Sequence, residues 1–181
     1  MARREDRSMG YDLTALIGAP DTLRPAVAAV PGARVVDIAA GLALVPLTGP
    51  VLGAIRAGGG ERAVAPARGF QALTPAVARF AAGASAAGPV LYAEAEFFGG
   101  SGSQAVIGWR GGRVSIGPLL TQTMGEGREG FAVAAGPGLR GMALNAGLRD
   151  LGVRTPADGE PWQDEFQAAG LGRCRATEDW S

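Results

Sequence analysis

Glu94 and Glu96 are the side chains of this 181-residue chain best placed to do chemistry. They stand two residues apart in Val90–Phe98, a run whose alternation predicts a β-strand. Residues i and i+2 of a strand point the same way, with Cα atoms about 6.5–7 Å apart. Two carboxylates can divide into acid and base when their environments differ. Inverting glycosidases hold such a pair roughly 6.5–9.5 Å apart. Those pairs flank the bond they cleave, however, and neighbours on one strand stand on one side of it. If Leu91, Ala93, Ala95 and Phe97 form the buried face, then Tyr92, Glu94 and Glu96 line the other. The pair then reads as an exposed acidic stripe for a basic partner, partly neutralised by Arg110 or Arg113 across a hairpin.

The stripe runs into Gly99, Gly100, Ser101, Gly102, Ser103 and Gln104. Gly100 to Ala105 spells G-x-G-x-x-A after a strand, the letters of a dinucleotide-binding turn. That turn needs a helix whose first N–H groups meet a pyrophosphate. Val106-Ile107-Gly108-Trp109 follows instead, β-rich and closed by Gly111-Gly112. Ser101 or Ser103 could be a nucleophile, but the G-x-S-x-G elbow is not met. The segment reads as a hairpin loop that extends the candidate binding surface.

Composition removes whole classes of mechanism. No His occurs, so Ser-His-Asp and Cys-His catalysis and His-ligated zinc are excluded. No Lys occurs either, and all 17 basic residues are Arg; Walker and Schiff-base lysines are excluded with it. The single Cys174, set between Arg173 and Arg175, builds neither a disulfide framework nor a Cys-rich metal site. Asp164, Glu165, Glu178 and Asp179 lack the spacing of a calcium loop and read as helix-end and solubility charges. No metal and no cofactor are expected. A formal net charge of zero, with scattered Arg, points away from nucleic acid. No apolar run reaches the roughly 18 residues that span a bilayer, and residues 1–8 lack the form of a secretory signal. The expectation is a cytoplasmic protein with no membrane partner. Residues 1–8 are expected to be a disordered tail, with Met9 a candidate natural start, and 9–181 to form one domain of ordinary size.

The elements that must position these residues follow from pattern and punctuation. Residues 11–18 predict a strand. Asp21 or Thr22 can cap a helix running to Val30, with Pro25 in its first turn. Residues 35–39 and 42–47 predict a hairpin about Ala40-Gly41, which Pro46 places near a sheet edge. Gly49-Pro50 opens a helix over 51–57, and 58–69 is a loop. Thr74-Pro75 starts a helix with an apolar face of Val77, Phe80, Ala81 and Ala84. Strands are predicted at 90–98, 104–110 and 113–116. Gly111-Gly112 suits a two-residue turn with positive φ, pairing Arg110 with Arg113, Trp109 with Val114 and Ile107 with Ile116. Residues 117–138 read as loop, 139–151 and 162–169 as helices. Trp162, Phe166 and Trp180 are expected to tie the charged C-terminus to the domain. The fold class is α+β, an antiparallel sheet with a three-strand meander packed against several helices.

Four segments taken together, Gly10-Tyr11-Asp12-Leu13, the run from Tyr92 to Gln104 followed by Trp109, the run from Leu148 to Val153, and Asp164-Glu165-Phe166 leading to Trp180, resemble a family of uncharacterised small bacterial proteins from GC-rich genomes. That resemblance implies a bacterial origin and brings no established activity or catalytic residues. The residues themselves favour a non-enzymatic protein that binds another protein, as an adaptor or an immunity-type inhibitor. The alternatives are a small hydrolase using Glu94 and Glu96, and a ligand-sensing domain beside the 99–103 loop.

Overall fold

The computed structural model describes residues 10–60, 65–98, 101–123, 129–133, 141–155 and 163–180. The N-terminal tail, Gly99, Gly100 and Trp162 therefore lie outside the described residues. The chain is α+β. Strands β1 (Gly10–Gly18), β2 (Val36–Asp37), β3 (Ala43–Pro46), β4 (Val90–Phe98), β5 (Ser101–Arg110), β6 (Arg113–Thr123) and β7 (Glu129–Val133) form one sheet in the order β2-β3-β1-β4-β5-β6-β7. Every pairing in it is antiparallel. The expected meander is its β4-β5-β6 part, and the β2-β3 hairpin lies at one edge as Pro46 required.

Helices cover both faces. On one, α1 (Pro20–Val27), α2 (Gly49–Gly58) and α3 (Pro75–Ala84) bury Leu23, Val51, Ile55 and Val77 against Leu16, Val45, Val90 and Tyr92. On the other, α4 (Ala143–Asp150), the short α5 (Glu165–Ala168) and the C-terminal segment bury Leu144, Leu148, Leu171 and Trp180 against Leu13, Ile17, Leu91 and Val106. The first three helices each carry Pro in the first turn, where its missing N–H costs nothing. Helix α1 begins at Pro20 with Ala19 before it, so neither Asp21 nor Thr22 is its cap. Thr74 occupies the cap position of α3, but its hydroxyl does not cap the helix.

A sheet buried on both faces changes the assignment of sides. Tyr92 pairs with Ile107 and Val90 with Trp109, so Trp109 and Ile107 share the face of Tyr92 and Glu94, not that of Leu91. The Gly111-Gly112 turn forms as expected, with φ of 58° and 78°, and pairs Arg110 with Arg113 and Trp109 with Val114. Both turn N–H groups dock on Ser85 at the end of α3. Ile107 does not meet Ile116. The register slips after Val114, and Gly108 lies opposite Ile116. Strand β6 also continues to Thr123, where a loop was expected. A second irregularity opposite Ile107 takes up Gly117 and Pro118, and a bulge is where a strand tolerates a residue without an N–H. Strand β7 likewise lies within the expected loop.

The C-terminus completes β1. Along β1, strand β3 pairs only with Ala15–Gly18, which leaves the first half of that edge to another partner. Arg175 and Thr177 occupy it: the Asp12 N–H donates to the Arg175 carbonyl at 2.8 Å, and the Thr14 N–H donates to Thr177 Oγ1 at 2.9 Å. Trp180 is 4% exposed, and Phe166 packs edge-on against Tyr11 with ring centroids 5.4 Å apart. The expected docking of the tail is present for both aromatics.

Candidate functional site

Glu94 is not on an exposed stripe. It is 7% exposed, and both of its oxygens accept from a loop outside the sheet. Glu94 Oε2 accepts from the Gln71 N–H at 2.6 Å. Glu94 Oε1 accepts from the Ala72 N–H at 2.8 Å and from Tyr92 Oη at 2.5 Å. A buried charge is tolerated when its lone pairs are met by donors, and three donors meet these. Tyr92 is fully buried beside Phe70, at 5.8 Å between ring centroids. Burial, and then the Glu94 carboxylate, push its hydroxyl far above the usual tyrosine range, so it remains a donor. Glu94 is thus the clasp that holds residues 70–73 over the sheet. Tyr92 and Glu94 leave the list of exposed binding residues, because the second face of the sheet is roofed by that loop and by three helices.

Glu96, one step further along β4, lies beyond the roof and is exposed. Its Oε2 accepts from Gln71 Nε2 at 3.1 Å. Directly across the sheet stands Asp12, also exposed, in register with Glu96 as Thr14 is with Glu94. Cross-strand partners stand about 4.5–5.5 Å apart at Cα. Asp12 Oδ1 accepts from Thr177 Oγ1 at 2.9 Å. Each of the two exposed carboxylates therefore keeps one oxygen with no protein partner among the described residues. Ser103 pairs with Glu96 from the other side and is exposed. These residues, with Thr14, Gln71 and Glu94, line a cavity of about 120 Å³. Phe98 follows on the same side of β4 and is 70% exposed.

The remaining candidates fall elsewhere. Gln104 is buried on the opposite face, where its Oε1 accepts from the Leu144 N–H at 2.8 Å. Together with Thr121 Oγ1, which accepts from the Ala143 N–H at 2.9 Å, it caps the first turn of α4. Gly102 lies opposite Phe97, and a Cβ there would run into the Glu96 carbonyl oxygen and the Phe97 ring. The glycine of the G-x-G letters serves strand approach, and the residues after it are strand as expected. Ser101 pairs with Phe98 and is exposed. Arg110 and Arg113 sit at the far end of the hairpin from the glutamates. Arg110 reaches Asp150 on α4, at 3.7 Å between Nη2 and Oδ2, so neither arginine neutralises the acidic residues there. Among the described residues, no ion pair reaches Asp12, Glu94 or Glu96.

Sequence reasoning missed Asp12 and Phe98. A signal for Asp12 was available: Asp12 and Thr14 alternate with Tyr11, Leu13 and Ala15 as Glu94 and Glu96 alternate with Ala93 and Ala95. Among the described residues, no group of three or more acidic or Cys side chains is arranged to hold a metal ion. No described helix is long and apolar enough to cross a membrane. Comparison with protein-family models, with curated proteins and with solved structures finds no match.

Proposed function

We propose that the protein acts by binding another protein, as an adaptor or an immunity-type inhibitor, and that it docks a basic partner on the Asp12–Glu96 surface. The observation that carries this reading is the like-charge pair itself. Asp12 and Glu96 face each other on adjacent strands, and among the described residues no cation pairs with either. Like charges directly opposite destabilise a sheet, and a cationic partner removes that cost on binding.

Acid–base catalysis is less well supported. Three donors of the protein itself tie both oxygens of Glu94 to the fold, which suits an anchor better than a group that must pass a proton to a substrate. The cavity of about 120 Å³ is small beside the roughly 300–1,000 Å³ of small-molecule sites, which disfavours ligand sensing at this place. An acidic surface also repels nucleic-acid phosphates.

The test compares the wild-type protein with an Asp12→Asn/Glu96→Gln double variant. A partner retained by the first and lost by the second is purified, and its affinity is measured at rising ionic strength. Binding that weakens with salt is expected, since exposed charges are screened. Equal binding by the double variant, or a hydrolytic turnover that Glu96→Gln abolishes, would overturn the proposal.

A further inference from the structure

We infer that this surface recognises arginine, with the partner's guanidinium laid between Asp12 and Glu96 and against the ring of Phe98. The inference rests on the proposed docking of a basic partner there. Two features select the guanidinium over an ammonium. The first is the acceptor layout. Asp12 uses one oxygen on Thr177 and Glu96 one on Gln71, so each is held in place and presents a single remaining oxygen. A planar fork of N–H donors can address two such oxygens at once, whereas an ammonium acts as a compact, strongly hydrated point charge.

The second feature is Phe98. Most large apolar side chains of the described sheet are covered, yet Phe98 is 70% exposed. It stands two residues from Glu96 on the same side of β4, about 6.5–7 Å away at Cα. Its cross-strand partners are Gly10 and Ser101, which place no bulk beside the ring. A guanidinium stacks on such a face while its edge bonds carboxylates.

The experiment is an NMR titration of the full chain with N-acetyl-arginine amide, its lysine analogue and its citrulline analogue at low ionic strength. It follows the Phe98 ring and the Asp12 and Glu96 carboxyl carbons. The arginine compound is expected to shift all three and to bind about two- to fivefold more tightly than the lysine compound, the range of an exposed cation–π contact. The citrulline compound is expected to leave them unmoved. Phe98→Ala, an exposed substitution, should bring arginine down to the lysine affinity. Equal binding of arginine and lysine overturns the arginine inference and leaves the basic-partner reading standing. Failure of both cations, or equal binding of citrulline, overturns both. Shifts of the same signals with protein concentration alone would make the surface a contact between copies of this chain, and would overturn both as well.

Discussion

Replacing Glu94 by Gln separates a buried clasp from a surface charge. A glutamine has one acceptor oxygen and one NH2 group. Its best placement keeps the oxygen at Oε1, where the Ala72 N–H and Tyr92 Oη donate, and turns the NH2 toward the Gln71 N–H. One hydrogen bond to a charged acceptor is then lost, a loss of about 1.5–3 kcal/mol. The other two fall from charge-assisted to neutral, roughly half as strong. Relief from burying a charge offsets part of this, so the net destabilisation is about 2–4 kcal/mol. For a chain of 150–250 residues each kcal/mol moves Tm by about 2–4 °C, so the variant should melt roughly 4–16 °C lower. Thermal and urea melts followed by circular dichroism measure it. Amide exchange at Gln71 and Ala72 should quicken in parallel, because the loop loses its anchor. In a cycle with Tyr92→Phe the two losses should add to less than their sum, since they share the bond between Tyr92 and Glu94. Glu96→Gln is the control, exposed and expected within about 0.5 kcal/mol. A Glu94→Gln protein as stable as that control would refute the clasp.

Other changes test the rest of the fold. The chain's two tyrosines, Tyr11 and Tyr92, are both buried, and burial foremost pushes both hydroxyls above their ordinary value. Their contribution to stability is then present below about pH 10, the unfolded value, and is lost as pH rises beyond it. Tyrosinate absorbance at alkaline pH should therefore appear only together with cooperative unfolding; a tyrosine titrating near pH 10 with unchanged circular dichroism would contradict this. Trp180→Ala removes a buried aromatic that pins the C-terminal segment to β1, and should cost about 3–5 kcal/mol in a denaturant melt. Gly102→Ala drives a Cβ into the Glu96 carbonyl and the Phe97 ring, and should destabilise by about 1–3 kcal/mol while disturbing the NMR signals of Phe97 and Phe98.

The elements whose signals are local were readable. Gly88-Pro89 and the alternation from Ala93 to Phe97 set off Val90–Phe98, and the structure has that strand with the same bounds. Gly111-Gly112 dictated a turn with positive φ at both positions, and the turn is there. Pro75 opened α3 at the expected residue. What failed depended on partners distant in sequence. Alternation predicts one buried face only if the other meets water, and here α1, α2 and α3 roof the second face. The β5–β6 slips and the passage of β6 beyond Pro118 leave no periodic trace, because a bulge breaks the period that would reveal it. Gln104 read as part of the binding surface, since its partner on α4 lies 40 positions away in the chain.

Glu94 and Glu96 show why a site is harder to read than a strand. Both sit in the same local text, Ala-Glu-Ala-Glu-Phe, on the same side of one strand. One is a buried anchor and the other an exposed charge, and no property of the strand distinguishes them. The difference is made by how far residues 70–73 reach along the sheet, which depends on the placement of α2 and α3. The loop ends its cover at Gln71, whose backbone N–H holds Glu94 and whose side chain holds Glu96. Asp12 enters the site for a similar reason: its partner on β4 is set by strand register, and its fixed oxygen by a C-terminal segment 165 residues away. The two exposed carboxylates are thus each oriented by an element remote in sequence.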